Sequence, residues 1–154
     1  MPDSTHPVAT IGYQGTTMDH FLAALKGEKV DLLVDVRAVA SSRRAGFSKT
    51  ALAANLNDAG IEYLHLRGLG TPADGRAAAR SGKHAEMQRI FGAHLATWDA
   101  QEALHHLEEL VRAGRRVALL CFEADPAHCH RTLVARALAE RVPVTVTDLR
   151  PDAP

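Results

Sequence analysis

Aromatic residues are scarce in this chain. One Trp, two Tyr and four Phe make up 5% of the 154 residues, so any core must be mostly aliphatic. Cysteine is scarcer still: two residues cannot staple a small fold, and they point instead to free, catalytic or metal-bound thiols. Neither sign of charge is in excess, with 18 basic and 18 acidic side chains, so the chain as a whole has no basic footprint for nucleic acid. A local basic cluster remains open. No apolar run approaches the ~20 residues of a membrane-spanning helix. The first residues, MPDSTHP, have no signal-peptide apolar region, and the expected location is cytoplasmic without membrane contact. Internal repeats and long linkers are missing as well.

What is present is an ordinary globular balance, 46% hydrophobic and 23% charged, in a length that suits one domain with a real core. The expected domain spans residues 8–150, with frayed ends at 1–7 and 151–154. Within it, short apolar runs alternate with helical patterns. Strands are expected over 8–13, 32–36, 61–66, 116–121 and 144–148. Thr16 or Thr17 caps a helix with Met18, Phe21, Leu22 and Leu25 on one face, and Gly27 ends it. Ser48 caps a second, with Leu52, Leu56 and Ala59 inward and Gly60 closing it. Residues 68–82 read as an irregular, small-residue loop, and residues 83–96 as a helix. Asp99 and Glu102 form a capping-box pattern ahead of the stripe Ala103, Leu104, Leu107, Leu110 and Val111. A last helix covers 132–141. This alternation predicts an α/β three-layer sandwich: a mainly parallel sheet of about five strands with helices on both faces.

In such sheets, ligands sit beyond the carboxyl ends of the strands. The residues expected there are Tyr13, Gln14 and Gly15 after the first strand. Arg37, Ser41, Ser42, Arg43 and Arg44 follow the second, Arg67 the third, and the segment CFEADPAHCHR (Cys121–Arg131) the fourth. That last segment joins a strand to a helix, where outward N–H groups and the helix dipole favour an anion. Cys129 opens the helix beside His128, His130 and Arg131, a setting that favours thiolate; it reads as a nucleophile, a metal ligand or a half-buried packing residue. Cys121 reads as a core hydrophobe or a second reactive thiol. Arg131 reads as an anion clamp, or as a salt-bridge partner of Asp35 or Glu123. Asp35, inside an apolar run, must be paired; it is either a structural partner of an Arg or a general base that orients a His. Arg37, Arg43 and Arg44 are either a phosphate-binding wall or a solvated loop. His105 and His106 read as surface residues.

The stretches IGYQG, DVRAVASSRRAGFSK, GIEYLHLRGLGTP and CFEADPAHCHR, in that order from Ile11 to Arg131, resemble the bacterial domain-of-unknown-function family numbered 488. The family's hallmark positions fall on Gly12, Tyr13, Gly15, Asp35, Arg37, Ser42, Arg43, Cys121, Glu123, Cys129, His130 and Arg131. Ala40 and Ala45 stand where members often carry Pro. The resemblance implies no settled activity.

Several chemistries can be weighed on spacing alone. Tyr13–Gly15 is neither a GxGxxG nor a Walker loop. Cys121 lies ten positions before Arg131 and Cys129 only two, so the C-x5-R phosphatase spacing is missing. Rhodanese-like domains are similar in outline, with an acid-Val-Arg after one strand and a Cys loop closed by Arg at a helix start. The expected function is therefore binding of a small anionic ligand or nucleic-acid phosphate, carried by Tyr13, Gln14, Gly15, Arg37, Ser42, Arg43 and Arg131. Thiol chemistry by Cys129, His130, Asp35 and Cys121 would accompany it. Sulfur transfer is the alternative. No cofactor is expected; a metal held by Cys121, Cys129, His128 and His130 is a further alternative, against which the loose C-x7-C-H spacing counts.

Overall fold

The computed structural model describes residues 5–151 and every side chain among them except that of His128. The outermost parts of the two expected frayed ends, residues 1–4 and 152–154, lie outside the described residues.

Five strands form one all-parallel sheet: β1 (His6–Gly12), β2 (Leu32–Asp35), β3 (Glu62–His65), β4 (Val117–Cys121) and β5 (Val144–Leu149). Their order across the sheet is β3-β2-β4-β1-β5. β4 is central, pairing Val8 with Val117 on one side and Leu32 with Val117 on the other. β1 begins at His6, which pairs with Val144, so the ordered sheet reaches into the segment expected to fray.

Side chains alternate across each strand and split the core in two. On one face, Ala9, Ile11, Leu33, Ala118 and Leu120 pack on α1 (Met18–Gly27) and α2 (Lys49–Asp58) through Phe21, Leu25, Leu52 and Leu56. On the other, Val8, Val34, Val117, Leu119 and Cys121 pack on α3 (Ala73–Arg80), α4 (His84–Leu95), α5 (Trp98–Arg112) and α6 (His130–Ala139). The expected sandwich is what forms.

Three local readings change. Residues 68–82 are not one irregular loop: a 3-10 turn covers Arg67–Leu69 and α3 follows. The inward positions of α3 are Gly75 and Ala78, too small to leave an apolar stripe in the sequence. α5 starts at Trp98, capped by Thr97, whose hydroxyl accepts the Ala100 N–H; the Asp99–Glu102 capping box does not form. Ser48 precedes α2 without a side-chain cap bond, because its hydroxyl instead accepts from Ser42 N–H and donates to Ser42 O. Thr17, rather than Thr16, caps α1 by accepting the His20 N–H.

The helices after β1 and β2 lie on one face, and those after β3 and β4 lie on the other. The chain therefore diverges around the carboxyl end of β4, where a crevice is expected.

Candidate functional site

The crevice is there, with a volume of about 280 Å³. Tyr13, Arg37, Cys121, Glu123 and His130 line it from the strand ends and the turn after β4, and Arg76, Arg80 and Met87 line it from α3 and α4.

One wall is a saturated ion pair. Arg37 grips Asp35 with both arms, Nε to Oδ1 at 2.9 Å and Nη2 to Oδ2 at 2.7 Å. Asp35 also accepts the Arg37 N–H and, at 2.6 Å, the Tyr63 hydroxyl. The second Nη of Arg37 donates to the Phe47 carbonyl and to the Tyr13 hydroxyl. Burial acts to lower the Arg37 pKa, but the Asp35 carboxylate outweighs it and holds the guanidinium charged. Burial, reinforced by the bond to Asp35, raises the Tyr63 phenol well above its ordinary range. Asp35 is thus paired, as a carboxylate inside an apolar run must be: its oxygens accept four bonds, three from Arg37 and one from Tyr63. Tyr13 stacks on Phe47 with ring centroids 4.7 Å apart, which fixes the wall's aromatic side.

The floor is a thiol–imidazole cluster. Cys121 ends β4, and its Sγ lies 3.3 Å from His130 Nδ1. His130 Nε2 is 2.7 Å from the Val36 carbonyl. A carbonyl only accepts, so Nε2 carries a proton and Nδ1 turns toward the sulfur. Cys129 lies behind this pair, 2% exposed, and one ligand atom from each of the three residues lies within 4.8 Å of the others. The hydrogen bond to Cys129 and burial push Cys121 well above the ordinary thiol value. Burial also opposes charge on Cys129, but bonds from Cys121 and His130, with the nearby Arg131 charge, outweigh it and draw Cys129 well below. His130 is raised: burial opposes its charge, and the bond to Cys129 overcomes that opposition. Glu123, at the rim, is pushed up to about 7 by burial and by the charge on Cys129.

The turn that presents this floor is tied down from below. Gln14 N–H donates to the Phe122 carbonyl at 2.8 Å, and the Gln14 side chain accepts the Ala124 N–H at 3.0 Å. Arg131, wholly buried, donates to the Glu123 and Ala124 carbonyls.

Several expected site residues therefore fall elsewhere. Arg131 does not reach the crevice, because its guanidinium is used inside the turn on carbonyls, not on Asp35 or on the Glu123 carboxylate. Cys129 does not line the crevice either; as N-cap of α6 its side chain points into the core, and Cys121 is the thiol that faces the opening. Arg43 and Gln14 are exposed, Gly15 turns the chain at φ 77°, and half-buried Ser42 pairs with Ser48; none of the four is a lining residue. The His128 side chain is outside the described ones. Tyr13, Arg37, Cys121 and His130 do come together.

Arg76 and Arg80 were missed at the level of sequence. They are four positions apart on α3, a spacing that places both on one helix face once the helix is recognised. Arg76 donates to the Thr71 carbonyl at 2.9 Å, and Arg80 is exposed, without an ion-pair partner among the described residues.

No match to a curated protein was found. A profile for the family described as domain of unknown function DUF488 matches residues 17–138. The matched span holds the Asp35–Arg37 pair, the α3 arginines and the whole Cys121–Arg131 turn, while the Tyr13 loop lies just ahead of it. With most of its length covered and its motifs in order, the chain belongs to the DUF488 family.

Proposed function

We propose that the crevice binds a small anionic ligand with an apolar part and presents it to Cys121 and His130. The observation that carries this reading is the make-up of one opening: guanidinium groups of Arg76 and Arg80 on α3, apolar Ala38, Val39, Ala79 and Met87 between, and a thiol and an imidazole below. Arginine forks match phosphate, sulfate and carboxylate oxygens. Arg37 is spent on Asp35, Tyr13 and Phe47, so the ligand's charge falls to the α3 pair. The volume suits a phosphorylated or carboxylated small molecule rather than a nucleic-acid duplex.

Titration with inorganic phosphate, sulfate and a nucleoside monophosphate tests the reading. Binding that weakens in Arg76→Ala and Arg80→Ala and with added salt is the expected result. Absence of binding at millimolar ligand would overturn it.

A second reading, sulfur transfer, is favoured by one placement: Cys121 ends the central strand and opens into the crevice beside an acid-Val-Arg strand end. In that reaction, Cys121 gives its thiol proton to His130 Nδ1, 3.3 Å away, as its sulfur takes the outer sulfur of thiosulfate, and sulfite leaves with the electrons of the broken S–S bond. A persulfide on Cys121, seen by mass spectrometry after thiosulfate treatment, would support it; an unmodified Cys121 would remove it.

A further inference from the structure

Two sulfurs and one imidazole nitrogen converge below the crevice with none of them committed to a carboxylate. Cys121, Cys129 and His130 are all buried, and their ligand atoms lie within 4.8 Å of one another. Around tetrahedral zinc, Zn–S of about 2.3 Å and Zn–N of about 2.1 Å place a sulfur and a nitrogen ligand about 3.6 Å apart. Cys121 Sγ and His130 Nδ1 are 3.3 Å apart, close to that edge. The imidazole is already set for coordination. Its Nε2 proton is held by the Val36 carbonyl at 2.7 Å, and its ring packs 5.3 Å from that of Phe91. Metal-bound histidines are oriented by such a bond from the far nitrogen, which leaves the near nitrogen free to ligate.

We infer that Cys121 Sγ, Cys129 Sγ and His130 Nδ1 form a three-ligand site for a thiolate-preferring divalent ion, zinc foremost, with its fourth position open to the crevice. Two thiolates and an imidazole are a donor set that zinc takes in preference to hard, oxygen-seeking ions. The open side follows from the lining: Cys121 and His130 face the crevice, while Cys129 closes the site from the core side. The loose C-x7-C-H spacing does not prevent this arrangement, because β4 and the head of α6 bring the two sulfurs together across the turn. As the ion binds, two S–metal bonds and one bond from His130 Nδ1 form, three of the ion's water ligands leave, and the remaining thiol protons pass to solvent.

The inference does not depend on anion binding by the α3 arginines, and it excludes sulfur transfer through Cys121, since a coordinated thiolate is no longer the acceptor. The test uses the full chain prepared without a histidine tag, loaded with Zn²⁺ and freed of excess by dialysis. The expected result is one zinc per chain by elemental analysis. Replacement by Co²⁺ should give thiolate-to-cobalt charge-transfer absorption and the intense visible bands of a tetrahedral ion. Cys121→Ser and His130→Gln should each lose both, with far-ultraviolet circular dichroism unchanged. Folded wild-type protein that retains substoichiometric zinc and shows no charge-transfer band would overturn the inference, whether or not the variants fold. A wild-type band that persists in Cys121→Ser would overturn it as well. Phosphate titration of the same samples separates a failed metal site from a failed anion site.

Discussion

Gly12 lies directly beneath the Glu123 carbonyl: a Cβ built on Gly12 would stand 1.8 Å from that oxygen and 3.0 Å from Arg131 Nη1. The end of β1 and the turn after β4 are thus in contact through a position that only hydrogen can occupy. Gly12→Ala must push the turn away and disturb the bonds from Arg131 to the Glu123 and Ala124 carbonyls. A loss of about 2–3 kcal/mol in folding stability is expected, measured by urea unfolding. Unchanged stability would mean that the turn does not sit on β1.

The Asp35–Arg37 pair carries a second prediction. Removing one member leaves the other buried without its partner, at a cost of about 3–5 kcal/mol. Arg37→Gln and Asp35→Asn should each show this in urea unfolding. The double variant should lose less than the two costs added, because the leftover charge goes with its partner. Simple additivity would contradict the saturated pair. Tyr63→Phe, which deletes a single bond to Asp35, should cost about 1 kcal/mol.

Arg80 separates binding from folding. It is exposed and touches no ion-pair partner among the described residues. Arg80→Glu should leave the thermal midpoint within a degree or so of wild type, as surface changes usually do. It should also abolish phosphate binding, where Arg80→Ala only weakens it. A variant that binds phosphate as wild type would locate the anion elsewhere.

Glu108 supplies a pH dependence. It accepts from Arg112 at 2.9 Å and from Arg141 at 3.1 Å, joining α5 to the end of α6, and these bonds lower its pKa. A carboxyl lowered in the folded state adds stability above its unfolded value, about 4.3, and loses that contribution as pH falls through the folded value. Glu108→Gln should therefore melt below wild type at neutral pH, with the gap closing in acid. A gap that stays constant down to acid pH would show that the charge is not what stabilises the contact.

Short-range patterning determined much of this molecule. Apolar runs such as Leu32–Val36 and Val117–Cys121 alternate with helical stripes such as Leu104, Leu107 and Val111, and parallel α/β layering follows because each element has one face to bury. Strand polarity then placed Tyr13, Arg37 and the Cys121–Arg131 turn at one edge. His105, exposed on α5, needed only the helical period.

Other features depended on neighbours distant in sequence. α3 is held through Gly75 and Ala78, and Gly75 stands so close to Thr71 that a Cβ would lie 2.4 Å from its methyl group. Such a helix has small inward residues and therefore no apolar stripe, so Arg76 and Arg80 looked like loop residues. Which cysteine faces the crevice was likewise decided by direction rather than position. Cys121, at the end of β4, opens to the crevice, and Cys129, two residues before Arg131, turns inward with it. Residue order placed both thiols, the imidazole and the guanidinium at one turn. Which of them meets solvent depended on how β1, β2 and α6 pack around that turn, since burial and orientation arise only when distant segments close on one another.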